Sequence, residues 1–211
     1  GFTFTPTFRE YTNVLTDKPN ENYITNVLTY TSVAGQDGWI VESSETSNVG
    51  GRLYNTQILA VGDDGANDQY RSILSFNTAT IPDTATISKV TLKINKAASS
   101  VSDPFTTHGF LLADIRKGTF GTAVLQITDF QAAASKDNVG HFTAVSGSPG
   151  WYQLSLNVAD YTYINKTSVT QFRLRFAIDD DNDLIEHYAT FYSGDEATQA
   201  NRPLLIIEYM P

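Results

Sequence analysis

Residues 70–95, YRSILSFNTATIPDTATISKVTLKIN, decide the fold. In the first half, Leu74 and Phe76 share one face of an extended segment. The second half alternates aliphatic with polar residues, and its aliphatic members are Val90, Leu92 and Ile94. This period of two is typical of a β-strand with one face in a core and the other in water. Pro82 and Asp83 favour a turn between the halves, so the stretch predicts two strands joined by a turn.

Similar short segments follow one another from residue 37 to residue 211, separated by Gly, Asn and Asp. The clearest is residues 172–178, in which apolar residues alternate with Arg173, Arg175 and Ala177, so we expect that second face to be in water. A capping box at residues 128–131, before three alanines, allows one short helix. The pattern predicts an all-β fold, a jelly-roll-like antiparallel β-sandwich over residues 37–211.

Composition excludes several classes of partner. The chain of 211 residues has 14 basic and 23 acidic side chains, a net charge of -9, which repels nucleic acid and anionic membrane surfaces. The longest apolar run, residues 204–207, is far shorter than the roughly 18 residues of a membrane span. Cysteine is absent, so disulfides and thiolate metal sites are excluded. We therefore expect no nucleic-acid partner and no membrane insertion.

Residues 1–36 predict an extended N-terminal arm. Apolar residues alternate with threonine over residues 2–8, and the sequence TNVLT occurs at residues 12–16 and again at residues 25–29. A strand donated to a neighbouring copy of the chain would have this pattern. The residues expected to make that contact are Phe2, Phe4, Phe8, Val14, Leu15, Val27 and Leu28. The alternatives are a linker or a strand that folds back on its own domain.

Several phrases of the main domain resemble one known family. They are DGWIV at residues 37–41, the strand at residues 71–76, the stretch at residues 81–94, and the ending at residues 191–196 and 201–209. In this order they resemble the DNRLRE-type domains, secreted β-sandwich modules that include alginate-binding carbohydrate-binding modules. The resemblance covers about residues 37–211. It implies a secreted or cell-surface location and a role without catalysis.

Two acidic loops predict a metal site. Carboxylates lie close together at residues 63–68 and alternate at residues 179–183, and flexible loops with such spacing can supply the hard oxygen ligands of Ca²⁺. The candidate ligands are Asp63, Asp64, Asp68, Asp179, Asp181 and Asp183. Neither loop has the spacing of an EF-hand, and the alternative is a pair of solvated turns.

Catalytic and sugar-binding patterns are weaker. The three histidines, His108, His141 and His187, lie in no known motif, and Glu186–His187 with Ser193 and Asp195 forms a triad only if the fold brings them together. We therefore expect no enzyme. A possible sugar platform consists of Trp39, Trp151 and Tyr152. The leading hypothesis is an extracellular filament or layer subunit assembled head to tail through the arm; the alternative is a carbohydrate-binding or adhesion module.

Overall fold

The computed structural model describes residues 25–100 and 102–211. These residues form an all-β structure in which the neighbouring strands pair antiparallel. The strands are β1 (Asn26–Thr31), β2 (Gly38–Glu42), β3 (Gly50–Tyr54), β4 (Ile58–Asp63), β5 (Gln69–Asn77), β6 (Thr86–Ser99), β7 (Leu111–Lys117), β8 (Thr143–Ala144), β9 (Trp151–Ser155), β10 (Val169–Phe176), β11 (His187–Tyr192) and β12 (Leu204–Met210). The short α-helix α1 is Pro104–Thr107, and 3₁₀ turns cover Ile127–Phe130, Val158–Tyr163 and Gln199–Asn201.

The strands form two sheets that share β6. In the first sheet, β6 pairs with β12 and β9, β12 pairs with β1, and β9 pairs with β8. In the second sheet, β11 pairs with the end of β6 and with β4, and the order continues through β5, β10 and β7, with β2 and β3 beside β5. The predicted all-β antiparallel sandwich is confirmed.

The main core confirms the alternation seen in the sequence. Val90, Leu92 and Ile94 of β6 are fully buried, and so are Leu74 and Phe76 of β5. They belong to one cluster with the apolar residues of β10, β11 and β12. Because side chains alternate along a strand, one face of each of these strands supplies the core.

A second, smaller core lies on the opposite face of β5. Residues 118–136 cover that face. The buried side chains between this segment and the sheet are Ile40, Ile73, Phe120, Leu125 and Phe130. The prediction that the second face of β10 lies in water is wrong at Arg173, which is only 5% exposed. Residues 118–136 cover Arg173. Because this segment has no hydrophobic periodicity, the sequence does not indicate which residues it covers.

The sheet begins before the expected boundary at residue 36. β1 pairs with β12 of the same chain over six residues, from Asn26 opposite Tyr209 to Thr31 opposite Leu204. Leu28 packs against the main core, whereas Val27 is 59% exposed. This part of the arm therefore folds back on its own domain. The expected contact residues Phe2, Phe4, Phe8, Val14 and Leu15 lie outside the described residues.

The predicted helix begins two residues earlier and is shorter. Its capping box is formed by Gln126 and Asp129, and the turn ends at Phe130 before the three alanines. Arg173 donates hydrogen bonds to the carbonyl oxygens of Asp129, Phe130 and Ala132. A longer helix would need these carbonyl oxygens as acceptors for its own N–H groups. Because the Arg173 guanidinium occupies them, the helix ends here.

Asp37 joins the start of the domain to its last loop. Its carboxylate is buried, and Oδ2 accepts hydrogen bonds from the Ser32 hydroxyl at 2.8 Å and from the Gly194 N–H at 2.6 Å. The other oxygen, Oδ1, has no partner in the part of the chain that the structure describes. Burial raises the pKa of Asp37 to about 6, and the nearby charge of Asp195 adds to the effect. The folded state therefore binds a proton at this carboxylate more tightly than the unfolded chain does.

Asp37 gives a pH dependence with a definite sign. Because its folded pKa lies above its unfolded value, its contribution to stability is present below about pH 4 and is lost as the pH rises through about 6. From pH 4 to pH 7, the free energy of urea unfolding should fall by about 2 kcal/mol less for Asp37→Asn than for the wild type. The exposed residue Asp83 provides the control substitution, Asp83→Asn. Parallel pH profiles for wild type and Asp37→Asn would refute this role.

Candidate metal centre and arginine pocket

Strand register brings an acidic and a histidine side chain together at one end of the sandwich. Asp63, the last residue of β4, lies opposite His187, the first residue of β11. Gly62 has φ +131°, and a Cβ there would collide with the His187 backbone, so glycine permits this close approach. His108 reaches the same place from the residue after α1. Three separate elements therefore position one cluster.

The polar atoms of this acid–histidine cluster converge. His108 Nε2 is 3.3 Å from Asp63 Oδ1, and His187 Nδ1 is 3.9 Å from the same oxygen. From the loop between β10 and β11, Asp181 Oδ1 and Asp183 Oδ1 are each 3.7 Å from His187 Nδ1. The group Asp63, His108 and His187 and the group Asp181, Asp183 and His187 could each hold a metal ion.

The inner members are buried and incompletely bonded. Asp63 and His108 are fully buried and His187 is 3% exposed, yet within residues 25–100 and 102–211 no hydrogen-bond partner exists for Asp63 Oδ2, His108 Nε2 or His187 Nδ1. The remaining contacts hold the geometry: the His187 N–H donates to Asp63 Oδ1, and His108 Nδ1 is 2.7 Å from Thr107 Oγ1. Burial lowers the pKa of His108, but the hydrogen bond and charge of Asp63, with the charges of Asp181 and Asp180, together raise it above its usual value. Orphaned buried polar atoms need an explanation such as a bound ion.

The structure divides the predicted metal ligands. Asp63, Asp181 and Asp183 lie in the cluster. The other aspartates do not: Asp64 Oδ1 accepts the N–H groups of Ala66 and Asp68 within its own loop, and Asp179 lines a pocket described below. The two predicted loops therefore contribute to one site.

Sequence reasoning missed His108 and His187 as ligands. His187 lies four residues after Asp183 of the second acidic loop, and this proximity in the sequence is the one available signal. The pairing of β4 with β11 and the fold of the α1 segment, which bring Asp63 and His108 to it, depend on contacts distant in the sequence.

Three arginines on β5 and β10 surround one buried carboxylate. Asp114 of β7 is fully buried, and it accepts hydrogen bonds from Arg173 at 2.9 Å and Arg175 at 3.2 Å. Arg71 donates to the Phe130 carbonyl at 2.8 Å and lies 4.0 Å above the ring of the same residue. Burial raises the pKa of Asp114, but the Asn138 N–H, with Arg173 and Arg175, holds it below its usual value. The group carries more positive than negative charge.

A small polar pocket opens beside this group. It has a volume of about 190 Å³ and is lined by Gln69, Arg71, Arg175, Phe176, Ala177 and Asp179. Arg71 Nη2 and Arg175 Nη1 donate no hydrogen bond to the described residues. Burial and the neighbouring arginines lower the pKa of Arg71 to about 10. The pocket therefore presents two guanidinium groups with free donors.

A larger pocket of about 350 Å³ lies elsewhere, around residues 161–167. Its two lysines already have partners, because Lys117 donates to the Thr162 carbonyl and Lys166 donates to the carbonyls of Asp83 and Ala85. This pocket therefore has fewer unbonded donors for an anion than the arginine pocket has.

The aromatic residues of the predicted sugar platform are separated. Trp39 belongs to the second sheet and stacks on Tyr54 with ring centroids 4.3 Å apart. Trp151 and Tyr152 belong to β9 of the first sheet, where Lys93 lies 5.0 Å above the Trp151 ring and Tyr152 stacks on Phe105. These three residues therefore do not form one surface.

The histidine and serine of the candidate catalytic triad are also far apart. His187 begins β11 and Ser193 follows its last residue, a distance of roughly 20 Å along an extended strand. Ser193 Oγ instead donates to the Thr56 carbonyl. His187 and Ser193 therefore cannot act as a nucleophile and base pair.

Comparison with models of known protein families and with curated proteins found no match for this chain. Among the described residues, no helix has the length and apolar character needed to cross a membrane.

The arginine group predicts that replacing the carboxylate of Asp114 greatly lowers the stability of the fold. Asp114→Asn leaves buried Arg173 without its counter-charge, so the free energy of unfolding should fall by about 3–5 kcal/mol. Urea denaturation at pH 7 measures it. Asp137, 73% exposed and 3.7 Å from Arg173, provides the matched control, and Asp137→Asn should change stability by less than about 1 kcal/mol. Equal small losses for both variants would contradict the analysis.

Proposed function

We propose that the chain is a non-catalytic, extracellular module that binds an anionic polysaccharide. The observation that carries the proposal is the arginine pocket, a polar cavity lined by Arg71 and Arg175, each of which has one nitrogen that donates no hydrogen bond to the described residues. Guanidinium groups bind carboxylates and sulfates through charge-assisted hydrogen bonds.

The pocket chemistry suits an acidic sugar unit. An anion would offset the charge of Arg71, which is partly buried next to two other cations. Gln69 and the carboxylate of Asp179 can accept hydrogen bonds from sugar hydroxyl groups. At about 190 Å³ the cavity is smaller than the roughly 300–1,000 Å³ typical of drug-sized ligands, so it suits one sugar unit of a chain.

The overall charge restricts where a polyanion can bind. A chain with a net charge of -9 repels polyanions over most of its surface, so binding depends on a local positive site. The resemblance to DNRLRE-type domains, some of which bind alginate, supports the same ligand class and a secreted or cell-surface location.

Binding to a polyuronate tests the proposal. The full chain should bind alginate and not the neutral polymer dextran, and added salt should weaken the binding. Arg71→Gln and Arg175→Gln should each reduce the affinity about tenfold or more, because each removes a charged hydrogen bond worth about 1.5–3 kcal/mol. Isothermal titration calorimetry or affinity electrophoresis measures the effect.

The control removes the same charge elsewhere. Arg52 is exposed on β3, so Arg52→Gln should bind like the wild type. Melting curves identify any variant that has lost its fold. Wild-type binding equal for alginate and dextran, or equal losses for Arg52→Gln and Arg71→Gln, would contradict the proposal.

An ion in the acid–histidine cluster would support this function, because the same loop carries Asp179 of the pocket and Asp181 of the cluster. The carboxylates of the cluster are hard ligands suited to Ca²⁺. The two imidazole nitrogens of the cluster do not suit Ca²⁺. The prediction of a Ca²⁺ site is therefore supported by the carboxylates alone.

A second candidate function is assembly through an open strand edge. Among the described residues, β1 pairs only with β12, so its other edge is free to accept a strand. Residues 1–24 of a neighbouring copy contain the alternating apolar pattern that such an edge accepts. Head-to-tail addition of this kind continues without closing and gives a filament.

Truncation distinguishes the candidates. Because β1 belongs to the sheet, the cut must leave it intact, and a chain of residues 25–211 should keep the fold. If the arm joins subunits, electron microscopy should show filaments of the full chain that disappear on truncation. Monodisperse particles in both samples would reject assembly and leave polysaccharide binding unaffected.

A further inference from the structure

We propose that the acid–histidine cluster is a structural site for Zn²⁺ or a similar transition-metal ion. The ligands are His108 Nε2, His187 Nδ1 and the Asp63 carboxylate, and the fourth ligand is a carboxylate of Asp181 or Asp183. This site is separate from the arginine pocket, so it does not depend on the proposed polysaccharide.

The spacing of the polar atoms fits a tetrahedral ion. Ligands at about 2.0–2.2 Å from a tetrahedral Zn²⁺ are about 3.3–3.6 Å from one another. The observed separations are 3.3 Å between His108 Nε2 and Asp63 Oδ1, 3.9 Å between His187 Nδ1 and Asp63 Oδ1, and 3.7 Å from His187 Nδ1 to each of Asp181 and Asp183. The side chain of Asp181 or Asp183, on the exposed loop, must also move toward Asp63 and His108, because the two groups of ligands share only His187.

Burial provides the second observation. Asp63 and His108 are fully buried and His187 is 3% exposed, and His108 Nε2, His187 Nδ1 and Asp63 Oδ2 have no hydrogen-bond partner among the described residues. A protonated His108 would satisfy Asp63 Oδ1 but would leave His187 Nδ1 and Asp63 Oδ2 unpaired. A divalent ion bound by His108, His187 and Asp63 would give both imidazole nitrogens a partner and would balance the buried carboxylate.

The surrounding contacts prepare His108 for metal binding. Its Nδ1 is 2.7 Å from Thr107 Oγ1, and an Nδ1–H bond to that hydroxyl leaves the Nε2 lone pair directed at the cluster. Metal-ligating histidines commonly fix their tautomer through such a bond. The His187 N–H similarly holds Asp63 through a 3.1 Å bond.

The ligand types select the metal. Imidazole nitrogen suits zinc and other transition metals, whereas Ca²⁺ and Mg²⁺ take oxygen ligands. Two histidines and two carboxylates give a closed set of protein ligands around an ion of double charge, which is typical of a structural site. Such an ion would join β4, the α1 segment and the loop after β10.

Metal binding by the untagged full chain tests the site. After chelator treatment, the chain should bind one equivalent of Zn²⁺ with an affinity at least about 100-fold above that for Ca²⁺, and Zn²⁺ should raise the melting temperature. Co²⁺ should give the intense visible absorption of a tetrahedral complex. Titration calorimetry, melting curves and absorption spectra measure these effects.

Matched variants identify the ligands. His187→Ala should weaken Zn²⁺ binding at least about 100-fold, whereas His141→Ala, which replaces an exposed histidine outside the cluster, should bind normally. Asp181→Asn with Asp183→Asn alters only the exposed loop, so this double variant tests the site even if His187→Ala fails to fold. It should lose about tenfold or more in affinity.

Three outcomes would overturn the proposal. They are the absence of stoichiometric Zn²⁺ binding by the wild type, Ca²⁺ binding as tight as that of Zn²⁺, or Zn²⁺ affinity unchanged in the double aspartate variant.

Discussion

The buried ion cluster of Asp114 with Arg173 and Arg175 is the constraint on which the second sheet depends. A guanidinium as buried as that of Arg173 must be fully bonded, and Asp114 with three carbonyls of residues 129–132 supplies the acceptors. These bonds hold residues 118–136 over β5 and create the second core. They also leave Arg71 and Arg175 at its rim, where the pocket forms. The stability of this face and the partly exposed guanidinium groups of its pocket therefore have one origin.

The acid–histidine cluster has a different origin, because it depends on strand register. Asp63 and His187 meet only because β4 and β11 pair in this alignment, and a shift by one residue would turn each side chain to the other face. The main core fixes the register, since Val61 and Ala189 on the same faces are fully buried. Apolar burial thus positions polar atoms that would be costly to bury alone.

The sequence predicted whatever depends on local periodicity and missed whatever depends on covering segments. The alternation of Val90, Leu92 and Ile94 sufficed for the strand, its buried face and the fold class. The buried position of Arg173 could not be predicted, because the segment over it has no period. The aspartates of the acid–histidine cluster were recognisable as members of acidic loops, whereas the contribution of His108 depends on tertiary contacts.

The loop between β10 and β11 connects the two sites. Asp179 lines the arginine pocket, while Asp181 and Asp183 face His187. Leu184 in the same loop has φ +61° and an exposed side chain, a conformation that costs about 1 kcal/mol or more in an unsupported loop. Its N–H donates to Asn67 of the other acidic loop, so the two loops hold each other. An ion at the cluster would add to this support, and its effect would extend to the pocket because Asp179 precedes Asp181 by only two residues.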